Sequence, residues 1–125
     1  QGPRYNDVTA TPELPFVDPL DPQTSARGII TVTELTSQIR TILESSFTET
    51  WVEGEIANSR LWKTGHLYFA LRAEHAQLKA VMLRAAVRYL RFTPEDGLRV
   101  VARGRVSVYE PKGEYQIVCE HLRPQ

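Results

Sequence analysis

The stretch Leu98-Arg-Val-Val-Ala-Arg-Gly-Arg-Val-Ser-Val-Tyr109, followed by a tight turn and Glu114-Tyr-Gln-Ile-Val-Cys-Glu-His121, decides the fold. It predicts two long strands folded into a hairpin. Val100, Ala102, Val106 and Val108 alternate with Arg99, Arg103, Arg105 and Tyr109. One face therefore suits a core, and the other carries cations and an aromatic ring that suit an anion. Glu110-Pro-Lys-Gly113 supplies the reversal, because proline presets φ for the turn and glycine takes positive φ without steric penalty.

Upstream of the hairpin, the sequence predicts strands over 50–58, 66–72 and 77–83, with turns at Thr64-Gly65 and 73–76. In the second strand Leu67, Phe69 and Leu71 face one way and His66, Tyr68 and Arg72 the other. Gly54 is the expected position of a bend or bulge in the first strand. Residues 85–90 read as a short helix and 93–97 as a turn. Farther back, Thr31 and Glu34 have capping-box spacing, and Val32, Leu35, Ile39, Ile42 and Leu43 recur at helical intervals to about residue 46. This amphipathic helix is expected to cover one end of a barrel.

Three strands, a short helix and two more strands predict an all-β domain with a flanking N-terminal helix. The expected architecture is a five-stranded Greek-key barrel of the oligonucleotide-binding type, an OB-fold, with a short helix between strands 3 and 4. An SH3-like barrel is the alternative; the bent first strand, the inserted helix and the long final hairpin favour the first. On an OB-fold, nucleic acid is held by the face of strands 2 and 3 together with the loops joining strands 1 and 2 and strands 4 and 5.

The chain has 125 residues and 42% apolar content, enough for one core, and the domain is expected over 29–125. Residues 1–28 hold five of the eight prolines and four acids against two arginines, the composition of a leader or linker. No apolar run approaches the roughly 18 residues of a membrane helix, and no basic region followed by an apolar one marks a secretory signal. A soluble cytoplasmic protein with no membrane partner is expected. Cys119 is the only cysteine, which excludes an internal disulfide and a thiolate cluster, and its strand position makes it a small buried hydrophobe.

Net charge is zero, yet eleven Lys and Arg face only four acids between residues 60 and 112. Single-strand binding needs cations that track phosphates and aromatic faces on which bases stack. Arg60, Trp62, Lys63, His66 and Tyr68 bring both types together around the first loop and second strand. Lys79 and Arg84 continue the track on or just after the third strand, and Arg105, Tyr109 and Lys112 join from the final hairpin. Arg99 and Arg103 are expected to pair with Glu53 or Glu55. Glu53 and Glu55 alone do not make a metal site, the three histidines show no ligand spacing, and no catalytic residue, metal or cofactor is expected.

Six motifs carry a resemblance: Ile30-Thr-Val-Thr-Glu-Leu-Thr36, Trp51-Val-Glu-Gly-Glu-Ile-Ala-Asn58, Gly65-His-Leu-Tyr-Phe-Ala-Leu71, Val81-Met-Leu-Arg84, Phe92-Thr-Pro-Glu-Asp-Gly97 and Tyr109-Glu-Pro-Lys-Gly-Glu-Tyr-Gln116. From about residue 29 to 124 the chain resembles the N-terminal domain of the large subunit of bacterial exodeoxyribonuclease VII. The resemblance implies a barrel that engages single-stranded DNA for a nuclease degrading it to short oligonucleotides. In that family a catalytic domain follows, and small subunits bind a still more C-terminal region. This chain is accordingly expected to be a fragment onto which no catalytic residue carries over. The alternative is a protein-interaction or assembly module using the basic face and the Leu14, Phe16, Val17 and Leu20 cluster of the acidic leader, which could also lie in the groove and compete with DNA.

Overall fold

The structure is a computed structural model that describes residues 28–125; the expected leader, but for Gly28, lies outside the described residues. The described residues fall into two units, divided between Leu35 and Thr36. In the first, the capping box forms as predicted. The Thr31 backbone N–H donates to Glu34 Oε1 at 2.8 Å, and the Glu34 N–H donates to Thr31 Oγ1 at 3.0 Å. These reciprocal bonds satisfy two of the donors that open helix α1, Val32–Ser46.

The second unit contains a closed barrel of five strands in the order β1-β2-β3-β5-β4. They are β1 Thr50–Leu61, β2 Leu67–Arg72, β3 Gln77–Met82, β4 Arg99–Tyr109 and β5 Glu114–Pro124, with the short helix α2, Arg84–Val87, between β3 and β4. This is the OB topology, and it excludes the SH3-like alternative. β1–β2, β2–β3, β4–β5 and β1–β4 pair antiparallel, and the barrel is completed by parallel pairing of β3 with β5, Lys79 opposite Gln116 through Met82 opposite Cys119.

The first strand runs three residues beyond its predicted end because it serves two neighbours. Residues 50–55 pair with β4, and 55–61 pair with β2. Its irregularity lies between Ala57 and Arg60 and not at Gly54. There Asn58 takes φ 54°, a left-handed conformation that asparagine tolerates better than most residues. The turn before β4 holds the kink: the Ser59 N–H donates to Asp96 Oδ1 at 2.9 Å, and the Gly97 N–H donates to the Ile56 carbonyl at 2.8 Å.

Ile56, Met82, Val100, Ile117 and Cys119 are completely enclosed and form the core with Leu67, Phe69, Leu71, Ala80, Ala102 and Leu122. The segment around α2 contributes Ala86, Val87, Leu90 and Phe92 to its edge. Helix α1, expected to cover a barrel end, instead buries no residue. Its attachment is polar: Arg40 Nη1 lies 2.6 Å from Glu110 Oε2, Ser107 Oγ donates to Glu44 Oε2 at 2.5 Å, and the Phe47 carbonyl accepts the Val106 N–H at 3.0 Å. Positions 40 and 44 lie roughly 100–160° round the helix from Ile39 and Ile42, which remain 45% and 59% exposed. Arg103 approaches Glu49 at 3.9 Å and lies over the Trp51 ring, so its predicted pairing with Glu53 or Glu55 is replaced by a partner just before β1.

Where β4 crosses β5 the register shifts at Arg103/Gly104, and a Cβ on Gly104 would stand 2.1 Å from the Val118 carbonyl oxygen. No side chain fits there. Gly104→Ala is expected to destabilise the domain by about 3 kcal/mol or more, measured by denaturant unfolding. Burial pushes the Cys119 thiol up to about 12. The fold therefore disfavours the thiolate, and this group's stabilisation is present below pH ~9 and lost as pH rises toward 12, at about 1.4 kcal/mol per unit. Cys119→Ala is expected to remove that component of the alkaline slope, compared with wild type by denaturant titration across pH 8–11.

Candidate nucleic-acid interface

Strand alternation turns Tyr68 and Ala70 of β2, and Gln77 and Lys79 of β3, away from the core. They floor a groove of about 620 Å³. One wall comes from the end of β1 and the β1–β2 turn, with Asn58, Arg60, Trp62, Thr64 and His66; the other comes from the β4–β5 hairpin, with Tyr109, Lys112, Glu114 and Gln116.

The β1–β2 turn is built tightly. The Trp62 N–H donates to the His66 carbonyl at 2.9 Å, and the Gly65 N–H donates to the Trp62 carbonyl at 2.8 Å, with Gly65 at φ 94°. Arg60 is paired in register with Tyr68, and the Trp62 ring meets the Tyr68 ring edge-on, centroids 6.1 Å apart at 78°. Each ring limits the other's rotation while both stay partly exposed, Trp62 at 49% and Tyr68 at 36%. His66 is oriented from behind, because the Arg84 backbone N–H donates to its Nδ1 at 2.9 Å. An accepting Nδ1 leaves Nε2–H as the donor of the neutral ring.

The opposite wall hangs on the hairpin turn, where the Lys112 and Gly113 N–H groups donate to the Tyr109 and Glu110 carbonyls, both at 3.2 Å. The Arg40–Glu110 pair ties this turn to α1. Lys79 Nζ lies 3.3 Å from Glu114 Oε1 across the β3–β5 seam.

Of the predicted residues, Arg60, Trp62, His66, Tyr68, Lys79, Tyr109 and Lys112 come together in the groove; Lys63, Arg84 and Arg105 do not. Lys63 is exposed in the turn between β1 and β2. Arg84 serves the structure instead, its backbone holding His66 and its side chain lying against Gly65. Arg105 sits on β4 near the α1 attachment, two residues before the Ser107 that bonds Glu44. Sequence reasoning missed Asn58, Thr64, Gln77, Glu114 and Gln116. The spacing of Gln77 to Lys79 is a signal that could have found it, but Glu114 and Gln116 enter only through the parallel β3–β5 pairing, which leaves no local signal. Among the described residues no group of three or more His, Cys, Asp and Glu gathers as a metal site, and no helix is long and apolar enough to cross a membrane.

A family model described as an OB-fold nucleic acid binding domain matches residues 30–123. The chain belongs to this family. Among curated relatives, the exodeoxyribonuclease 7 large subunit of Geotalea uraniireducens is 52% identical over 99 residues, covering 79% of this chain and 22% of the relative. That of Geobacter sulfurreducens is 48% identical over 101 residues, covering 81% and 23%. The chain thus spans about a fifth of the length of these relatives. The same fold is found in asparaginyl-tRNA synthetase from Pyrococcus horikoshii, with a TM-score of 0.52 at 13% identity over 70% of this chain and 21% of that one. It recurs in a replication protein A heterotrimer bound to ssDNA, with a TM-score of 0.50 at 14% identity over 62% and 57%.

A Cβ on Gly65 would stand 2.8 Å from Arg84 Cγ and Cδ, and the positive φ adds backbone strain. Gly65→Ala is expected to destabilise the domain by about 1 kcal/mol or more and to alter Trp62 fluorescence, read by thermal melting and emission spectra.

Proposed function

We propose that this domain is the single-stranded DNA-binding module of an exodeoxyribonuclease VII large subunit. It presents the strand to a catalytic domain outside these 125 residues, in a cytoplasmic enzyme that degrades single-stranded DNA to oligonucleotides and works with small subunits. The observation that carries this reading is the groove, where the Tyr68 and Trp62 rings meet edge-on and Arg60 and Lys112 stand in the walls above the outer face of β2 and β3. Exposed rings take unpaired bases at roughly 1–3 kcal/mol each, and cations along the walls take phosphates. The relatives' shared name supports the choice of DNA and of this enzyme.

In the proposed pose, Tyr68 and Trp62 stack bases, His66 Nε2–H donates to a phosphate or base oxygen, and Arg60 and Lys112 follow the backbone, with Tyr109 closing the far wall. Lys63, Arg84 and Arg105 act at most as long-range cations. The test is fluorescence anisotropy of a labelled oligo-dT of about 15 nucleotides. Two to three phosphate contacts are expected to give a slope of log affinity on log salt of roughly −1.4 to −2. Tyr68→Ala is expected to weaken binding by about 1 kcal/mol or more. Salt-independent binding, or binding indifferent to Tyr68, would overturn the reading.

A further inference from the structure

Gln77 and Lys79 lie on one face of β3, Glu114 and Gln116 on the matching face of β5, and all four line the groove. The ion pair between Lys79 and Glu114 leaves 55% and 41% of the two side chains exposed, so an ammonium with three donors and a carboxylate with two oxygens both keep open positions. Among the described residues, the other two cations of the groove, Arg60 and Lys112, have no carboxylate partner. Lys79 is therefore electrostatically different from them. A phosphate drawn to its ammonium would meet the Glu114 carboxylate at a similar distance, and that repulsion cancels most of the attraction.

Such a pair favours a neutral group that carries an acceptor beside donors. In a single strand the Watson–Crick edges of the bases are free to be read. Guanine presents O6 next to N1–H and N2–H, two adjacent donors that match the two oxygens of one carboxylate. Adenine and cytosine offer only their exocyclic amine, and the single N3–H of thymine is flanked by two carbonyl oxygens that face a carboxylate unfavourably. We infer that Lys79 and Glu114 form a base-reading subsite for guanine, Lys79 donating to O6 and Glu114 accepting from N1–H and N2–H, an inference that rests on the single-strand reading above.

The position suits this role. Tyr68 is paired with Val81 and Ala70 with Lys79, so Lys79 is the diagonal cross-strand neighbour of the stacking ring, roughly 7 Å away, about one nucleotide. The methyl group of Ala70 keeps the floor low between them. Glu114 becomes a specificity-determining residue, and Lys79 a base contact instead of a link in the phosphate track.

The test compares three labelled oligonucleotides on the full 125-residue chain: oligo-dT, the same strand with one central guanine, and the same strand with hypoxanthine there, which lacks the N2 amine. Guanine is expected to tighten binding about tenfold, as a bidentate edge contact does, and hypoxanthine only about two- to threefold. Glu114→Gln is expected to abolish the guanine gain. It should also tighten oligo-dT binding and steepen its salt slope by about 0.7, as Lys79 becomes free for one more phosphate. If guanine brings no gain, or an equal gain in Glu114→Gln, or if the salt slope is unchanged, while oligo-dT still binds through Tyr68, the subsite is wrong and the single-strand reading stands. Failure of every strand to bind overturns both.

Discussion

The parallel pairing of β3 with β5 is the contact on which the rest of this barrel depends. Among the described strands it is the only seam between strands that run parallel, and it joins segments that no short turn could bring together. Closure at this seam removes the sheet edges, encloses Met82, Ile117 and Cys119, and sets Lys79 beside Gln116 on the outside. Where the register of β4 on β5 shifts at Arg103/Gly104, the two strands approach so closely that Gly104 has no space for a side chain.

The same closure shapes the groove. Its floor is the outer face of β2 and β3, and its walls are the β1–β2 turn and the β4–β5 hairpin, each braced from outside the groove. Arg84 braces His66 and crowds Gly65, while Arg40 reaches from α1 to Glu110 in the hairpin turn. The left-handed Asn58 sits at the irregularity within the ladder of β1 with β2, held by Asp96 through Ser59, and this kink carries Arg60 and Trp62 to the groove's rim. Three arginines thus do different things: Arg60 faces the groove, while Arg84 and Arg40 position what lies around it.

Much of the architecture is legible in the sequence because it is periodic or stereochemically marked. Alternation in residues 67–71 separates the core-facing Leu67, Phe69 and Leu71 from Tyr68, and the Thr31/Glu34 spacing locates the helix start. Glycine at 65 and 113, both at positive φ, punctuates the turns. The same periodicity misleads for α1, since an apolar stripe on a helix says that the face can be buried and not what will bury it. Here polar residues at 40 and 44 make the attachment, and of the stripe Val32, Leu35, Ile39 and Ile42 stay exposed while Leu43 is half-buried. Gly54 is the obvious residue for a bulge, but asparagine's own tolerance of the left-handed region lets the kink form at 58.

The candidate site is half legible for a related reason. Arg60, Trp62, His66 and Tyr68 lie close together in the chain, so one turn and one strand parity are enough to put them on a common face, whatever the rest of the molecule does. Lys79 is recognisable as an outward cation from the same parity, but its pairing with Glu114 arises only when the barrel closes, as does the withdrawal of Arg84 and Arg105 from the groove. Strand parity and turn chemistry are local and act over a few residues. Which charge stands opposite which across a parallel seam is set by barrel closure, a property of the whole chain that no local pattern encodes.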